Sequence, residues 1–418
     1  MTVEPRPLRI LLSAYACQPG EGSEPGVGWN WAVELARLGH AVWVLTRSNN
    51  RPSIEPALPS LPAAVQSRLR FIYHDLPNWV LQLKRGPFGT HLYFSLWQRG
   101  VLPVARAAHQ QNRFDVIHHL TFGVCRQPSL LHRLGVPFVF GPVGGGETAP
   151  PGLRSTLQLR DRAAEVLRDM VNSASLLNPE LRRCLEGAAL VVAKTPETAA
   201  WLRKAGAASP LQQLEIGIDT SRVVPRGPDR QPGQPLRCIF AGRLLGWKGV
   251  HLAIDAVAAA VARSVDVTLT IVGKGPMEQT LKAQVHALGL QSRVRFLGAV
   301  DQLTLFRQFR EHDMLLFPSL HDSSGNVVLE AMAHGLPAVC LKTGGPAMMV
   351  GASNGFAIEA VGHRHAKVID GLSAALARLA SDSSCWKTVH AGALEVAAAM
   401  TWRAAVQAAY FRFQTVEG

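Results

Sequence analysis

Asp322 and Glu330 stand eight positions apart in HDSSGNVVLEAMAHGLPAV (321–339), where an apolar run, MLLFPSL, turns into a helical pattern. Two cations, Arg243 and Lys248, lie upstream in GRLLGWKG, directly after the apolar run RCIFA and beside Gly242. Glycines that admit backbone N–H groups closely, next to two cations, make a seat for a diphosphate. A second loop, IVGKGP, sets Gly273, Gly275 and Pro276 in a tight turn suited to the edge of a flat nucleobase. A helix starting at Gly325, Asn326 and Val327 would present free, partially positive N–H groups to phosphate oxygens. Glu330, one turn in, is too close to a phosphate to face it and is better used on ribose hydroxyls. Asp322, at the strand end, falls beyond the diphosphate, where a sugar would sit. Together the residues bracket a nucleotide sugar. Taken singly, each loop also reads as a plain strand-to-helix turn with solvated side chains, and Asp322 as a helix cap.

Residues at loop starts need strands behind them. Apolar runs alternate with amphipathic stretches along nearly the whole chain, which predicts parallel α/β layers. LRILLSAY, AVWVLTR, RFIYHDL, DVIHHL, PFVFGPVG and AALVVAKT read as strands of a first half, with GWNWAVELARLG as a helix. RCIFAG, VTLTIVGKG, RVRFLGAV, DMLLFPS and PAVCLK read as strands of a second, with VHLAIDAVAAAVA and NVVLEAMAHG as helices. The aperiodic PRGPDRQPGQP between the halves reads as a linker. The fold class expected is therefore α/β, two Rossmann-like domains facing each other across a cleft, with ligands at the strand ends. The domains expected are 1–217 on the acceptor side and 218–400 binding the nucleotide sugar, with 401–418 returning as a helix to the first.

Composition narrows the partners. The 418 residues carry 43 Lys and Arg against 30 Asp and Glu, a net charge of +13. The bases are dispersed, without a basic stretch interleaved with aromatics, so no nucleic acid is expected. A phosphorylated or lipid-linked substrate, or an anionic membrane surface, accounts for the charge better. The stretch 76–113 mixes Trp79, Phe88, Tyr93, Phe94 and Trp97 with Lys84, Arg85 and Arg99, which suits an interfacial element; helices packed on the sheet with solvated bases read from it somewhat better. Six scattered cysteines without a C-x-x-C pair predict buried thiols rather than zinc or disulfides. Arg6 and Arg9 before LLSAYAC imitate a short export signal, but the apolar run also reads as the first strand. A cytoplasmic protein, peripheral at the inner face of the cell membrane, is expected.

GRLLGWKG, IVGKGP, RVRFLGAV and HDSSGNVVLEAMAHGLP, in this order and spacing, resemble the donor domain of the family-4 glycosyltransferases of GT-B fold. That family usually carries Glu at the position of Asp322 and Gly-Phe-Gly at 323–325, where this chain has Ser-Ser-Gly. The resemblance continues through SEPGVGWNWAVELARLGHAVWVLTR, where it implies that the backbone of Gly26 and Val27 approaches the donor phosphates or the acceptor. DVIHHLTFG resembles the segment supplying a histidine near the transferred sugar; His118 and His119 both fit, with His119 preferred. EIGID (215–219) resembles the interdomain crossover, and TWRAAVQAAYFRF the last helix. The loop GPVGGGE (141–147) places Gly145 and Glu147 where an acceptor could enter, Glu147 serving as base or hydroxyl ligand; a flexible turn reads equally from it.

No D-x-D triplet occurs, so no metal and no cofactor are expected, the substrate itself being the nucleoside-diphosphate sugar. Arg243, Lys248 and the helix end would stabilise the leaving diphosphate. The resemblance implies transfer with retention to a glycan or lipid-linked acceptor in bacterial exopolysaccharide synthesis. Other readings are a catalytically silent nucleotide-sugar-binding partner of the same fold, or a same-fold epimerase or phosphorylase. A dehydrogenase fits poorly, because QPGEGSEPG puts Pro25 where G-x-G-x-x-G needs its last glycine.

Overall fold

The computed structural model describes residues 6–82, 84, 86–219, 223–225, 227, 230 and 234–417. Most of the expected linker, 225–235, lies outside the described residues. The chain divides into two compact units.

The first unit comprises Met1–Gly146, Val171–Ile216 and Trp402–Gly418. Its strands are β1 (Arg9–Ser13), β2 (Ala41–Thr46), β3 (Leu69–Tyr73), β4 (Val116–His119), β5 (Phe138–Val143), β6 (Leu190–Ala193) and β7 (Leu211–Gln212). They form one parallel sheet in the order β3-β2-β1-β4-β5-β6-β7. Successive strand residues face opposite ways, and the core accordingly divides. Leu11 joins Tyr15, Phe94, Trp97 and Phe140, while Ile10 and Leu12 join Trp31, Val42, Tyr410 and Phe413. The last helix, Trp402–Glu417, thus supplies two of the largest side chains of the second cluster.

The second unit comprises Glu147–Met170 and Gly217–Thr401. Its strands are β8 (Leu236–Ala241), β9 (Val267–Val272), β10 (Val294–Gly298), β11 (Met314–Phe317), β12 (Ala338–Leu341) and β13 (Gly355–Ile358), parallel in the order β10-β9-β8-β11-β12-β13. The helix Val250–Ala262 follows Gly249, whose φ is 72° and where a Cβ would overlap the Pro318 carbonyl oxygen. Only glycine fits there. Two Rossmann-like α/β domains are what the strand pattern predicts.

Three expectations change. The stretch Glu147–Met170, read with 1–217, belongs to the second unit. The expected interfacial stretch holds the helix Gly86–Asn112. Tyr93, Phe94 and Trp97 on it are fully buried in the first core cluster, whereas Trp79 before it is 71% exposed. Arg85 and the side chain of Phe88 lie outside the described residues. Lastly, the helix expected from Gly28 begins at Ser23, so Gly26 and Val27 are its fourth and fifth residues. Backbone N–H groups that deep in a helix bond within it, and Val27 is 2% exposed. A Cβ on Gly26 would overlap the Glu21 carbonyl oxygen and one on Gly28 that of Ala16. The glycines let the helix pack on the chain's own backbone. Five of the six cysteines are buried, and all six are free thiols.

Candidate active site

In the second unit the strand ends carry the expected loops. Gly242 follows β8 at φ 154° and Gly273 follows β9 at φ 139°. The two loops zip together. Gly242 N–H donates to Val272 O (2.9 Å), Leu244 N–H to Lys274 O (3.0 Å) and Met277 N–H to Leu244 O (3.1 Å). A Cβ on Gly273 would overlap the Gly242 carbonyl oxygen, and one on Gly275 that of Leu244. Pro276 is exposed beside them. Arg243 is exposed, and no carboxylate among the described residues pairs with it.

Lys248 closes a short turn, Gly246–Lys248, and reaches across to Asp322, its Nζ paired with Oδ2. The same ammonium lies 4.4 Å from the centre of the Trp247 ring and 5.2 Å from that of Phe317. The other Asp322 oxygen accepts from Ser324 N–H (3.3 Å) and Gly325 N–H (3.1 Å). Asp322 therefore closes the turn ahead of the helix rather than capping the helix itself, and carries a lysine as well. The helix Asn326–Ala333 starts after Gly325, whose φ is 71°, and no side chain caps it. The N–H groups of Asn326 and Val327 keep their donor capacity toward a ligand, while Val328 N–H donates to Gly325 O (2.8 Å). Glu330 sits one turn further, half-buried; burial pushes its carboxyl up, against a hydrogen bond with Gln302. Asp322 and Lys248 meet, while among the described residues Arg243 and Glu330 form no hydrogen bond or ion pair with either.

The sequence reading missed the loop after β12. A Cβ on Gly344 would overlap the Asp322 carbonyl oxygen, and Gly345 N–H donates to that oxygen (2.7 Å). A glycine pair directly after the strand PAVCLK was the available signal. It missed also His321, whose ring stacks on Trp247 at 4.8 Å and whose Nε2 lies 2.8 Å from Glu165 Oε1. Glu147 is 1% exposed and accepts from Ser323 Oγ at 2.6 Å. That burial removes it from the open acceptor loop expected at Gly145 and Glu147.

In the first unit the two histidines of β4 face opposite core clusters. His118 Nε2 lies 2.6 Å from Gly141 O and Nδ1 3.0 Å from Tyr410 Oη. His119 packs against Phe94 and Phe140, and its Nδ1 is buried without a partner. Burial pushes His118 down to about 4 and His119 down to about 3. Gly145, at φ 106°, accepts from Asn172 Nδ2 (3.3 Å).

Two parallel-sheet α/β domains, with cations and acids gathered at the strand ends of the second, define a nucleotide-sugar-dependent glycosyltransferase of the GT-B class. The model of Glycosyltransferase Family 4 matches residues 28–222, and that of Glycosyl transferases group 1 matches 235–382. The chain belongs to the family-4 glycosyltransferases. It is 28% identical to the D-inositol 3-phosphate glycosyltransferase of Corynebacterium diphtheriae over 93% of this chain and 90% of that one. It is 26% identical to the Escherichia coli glycosyltransferase WcaL, named for colanic acid biosynthesis, over 60% of this chain and 67% of that one. Its fold is that of Anabaena HepE, solved with UDP and glucose (TM-score 0.60, 18% identity, 98% of this chain and 100% of that one). Among the described residues no helix is long and apolar enough to cross a membrane.

Proposed function

We propose that the protein moves a hexose from a nucleoside-diphosphate sugar to a glycan or lipid-linked acceptor, with retention of configuration, in cell-surface polysaccharide synthesis. The Lys248–Asp322 pair carries the proposal. It sets a cation for the diphosphate and a carboxylate for the sugar side by side, with the uncapped end of the helix Asn326–Ala333 two residues beyond Ser324. Arg243, exposed and without an ion-pair partner among the described residues, adds the second cation. Gly242, Gly273, Gly275 and Pro276 offer backbone to the base, and Glu330 a carboxylate to the ribose.

In the proposed step the acceptor oxygen bonds to the anomeric carbon from the face that the diphosphate leaves. The bond from that carbon to the diphosphate oxygen breaks, and the departing phosphate takes the acceptor proton. The two cations and the helix dipole stabilise the developing charge, usually the largest single contribution to such a rate. The absence of a D-x-D triplet and the cations in its place support a reaction without a metal. His119 is the histidine for the sugar side, since its Nδ1 lacks a partner while both His118 nitrogens are engaged.

The protein works at the inner face of the cell membrane. Supporting this are Trp79, 71% exposed, and the helix Leu159–Ser175, which exposes Leu159, Val166, Leu167 and Met170 at helical spacing beside exposed Arg160 and Arg162. Such a face suits an anionic lipid surface. WcaL's name supports polysaccharide synthesis.

Thermal shift against UDP-, GDP- and ADP-sugars tests the donor, because a ligand that binds the native state raises its melting point. Radiolabelled transfer with the stabilising donor, with and without EDTA, tests the reaction. Donor binding without transfer to any glycan or lipid-linked acceptor would point to a silent binding partner; activity restored only by manganese would refute the metal-free step.

A further inference from the structure

Asp322 has a buried carboxylate behind each of its neighbours. On one side Ser323 Oγ donates to Glu147 Oε2 at 2.6 Å; on the other His321 Nε2 lies 2.8 Å from Glu165 Oε1. Both acids come from Glu147–Met170, the stretch the chain sends into the second unit more than 150 positions before the loop it meets. Each is itself held. Arg168 Nε donates to the Glu147 carbonyl (3.0 Å) with its guanidinium 3.9 Å from the carboxylate, and Glu165 Oε2 accepts from Ala149 N–H (3.3 Å). Burial would raise the Glu165 carboxyl, but the hydrogen bond and charge of His321 hold it below the usual carboxylate range.

Burying a carboxylate is costly unless it is paired and hydrogen-bonded. Two that end on one five-residue loop fix that loop rather than a core. The His321 ring, stacked on Trp247, also ties the loop to the turn that carries Lys248. Ser323 brings the hydroxyl that Glu147 accepts from, which a glycine in its place would lack.

We propose that Glu147 and Glu165 are positioning residues that hold the 321–325 loop, through Ser323 and His321, in the conformation in which Asp322 meets the donor sugar. This rests on the donor reading above. The loop's mobility, not the affinity for the nucleotide, is what the clamp controls.

The test compares Ser323→Ala, Glu147→Ala, the double variant, Glu165→Ala and the conservative Glu147→Gln and Glu165→Gln. Each is assayed for kcat and donor KM with the nucleotide sugar that stabilises the wild type, and for affinity toward the matching nucleoside diphosphate. The alanine variants should each lose about tenfold in kcat, with nucleoside diphosphate affinity changed less than about twofold. Glutamine at 147 still accepts from Ser323 and should restore most of the loss there; Glu165 accepts through both oxygens, so Glu165→Gln, with one accepting oxygen, should restore less. The Ser323–Glu147 double variant should be no slower than either single one, since both delete the same bond. Amide hydrogen exchange across 321–325 should quicken in the alanine variants alone. Additive losses, unchanged kcat in folded Ser323→Ala, or matching losses of nucleotide affinity and kcat would overturn the clamp. A wild type that binds no nucleoside diphosphate would refute the donor reading instead, and unchanged exchange in Glu147→Ala and Ser323→Ala would still refute the clamp.

Discussion

Lys248 and Asp322, 74 positions apart in the chain, form an ion pair that joins the loop after β8 to the loop after β11. Both side chains are mostly buried, at 16% and 14% exposure, so the pair is largely shielded from water and salt. A donor diphosphate would compete for the lysine, leaving the carboxylate free for the sugar. Lys248→Ala and Arg243→Ala should each cut turnover about 100-fold or more, roughly 3 kcal/mol of lost charge stabilisation. Circular dichroism should show both variants folded. Near wild-type rates would demote the two bases to surface decoration.

The two acids should separate by ligand. Glu330→Ala is expected to weaken donor and free nucleoside diphosphate alike, because the ribose is common to both. Asp322→Ala should leave nucleoside diphosphate affinity nearly intact while transfer falls, a hydrogen bond to a charged group being worth roughly 1.5–3 kcal/mol only to a ligand that carries its partner. Asp322→Glu keeps the charge, advances it by one methylene and should shift the preferred sugar. Calorimetry beside transfer assays on several donors decides; identical losses on both ligands would contradict the division.

Acid should destabilise the first unit through its paired histidines. An unfolded histidine titrates near 6.5, whereas burial holds His118 at about 4 and His119 at about 3. Between those values the unfolded chain binds the protons and the folded chain does not, so stability falls as pH drops below about 6.5 and goes on falling toward about 4. Each histidine contributes up to about 1.4 kcal/mol per pH unit in that window. Melting points measured from pH 8 to 4.5 should decline, and His119→Phe should flatten the decline. An unchanged slope in that variant would show that other groups govern it.

Membrane association should depend on the exposed stripe. Replacing Leu159, Val166, Leu167 and Met170 by serine should reduce co-sedimentation with vesicles containing phosphatidylglycerol several-fold, and so should Trp79→Ser to a lesser degree. The donor-induced thermal shift should persist in both. Equal pelleting of variant and wild type, or none by the wild type, counts against the surface.

Local pattern was enough for the layers. The helix read from VHLAIDAVAAAVA spans the same 13 residues in the structure, and the strands that carry the site were all legible as apolar runs. Periodicity and strand-end glycines are properties of neighbouring residues, which is why sequence alone placed Lys248 and Asp322 on loops of one sheet and Glu330 on the helix that follows. β7 and β13 were not read: LQ is too short to show a pattern, and GFAI is a brief run that opens on a glycine. Tertiary structure decided what each loop touches. A glycine needed against a ligand and one needed against the chain's own backbone look the same in sequence; Gly26 was settled only by the position of the Glu21 carbonyl. The same holds for Glu165, 156 positions from His321. Nothing local marks a carboxylate whose partner arrives from the other half of the chain, because that pairing is made by packing and not by spacing.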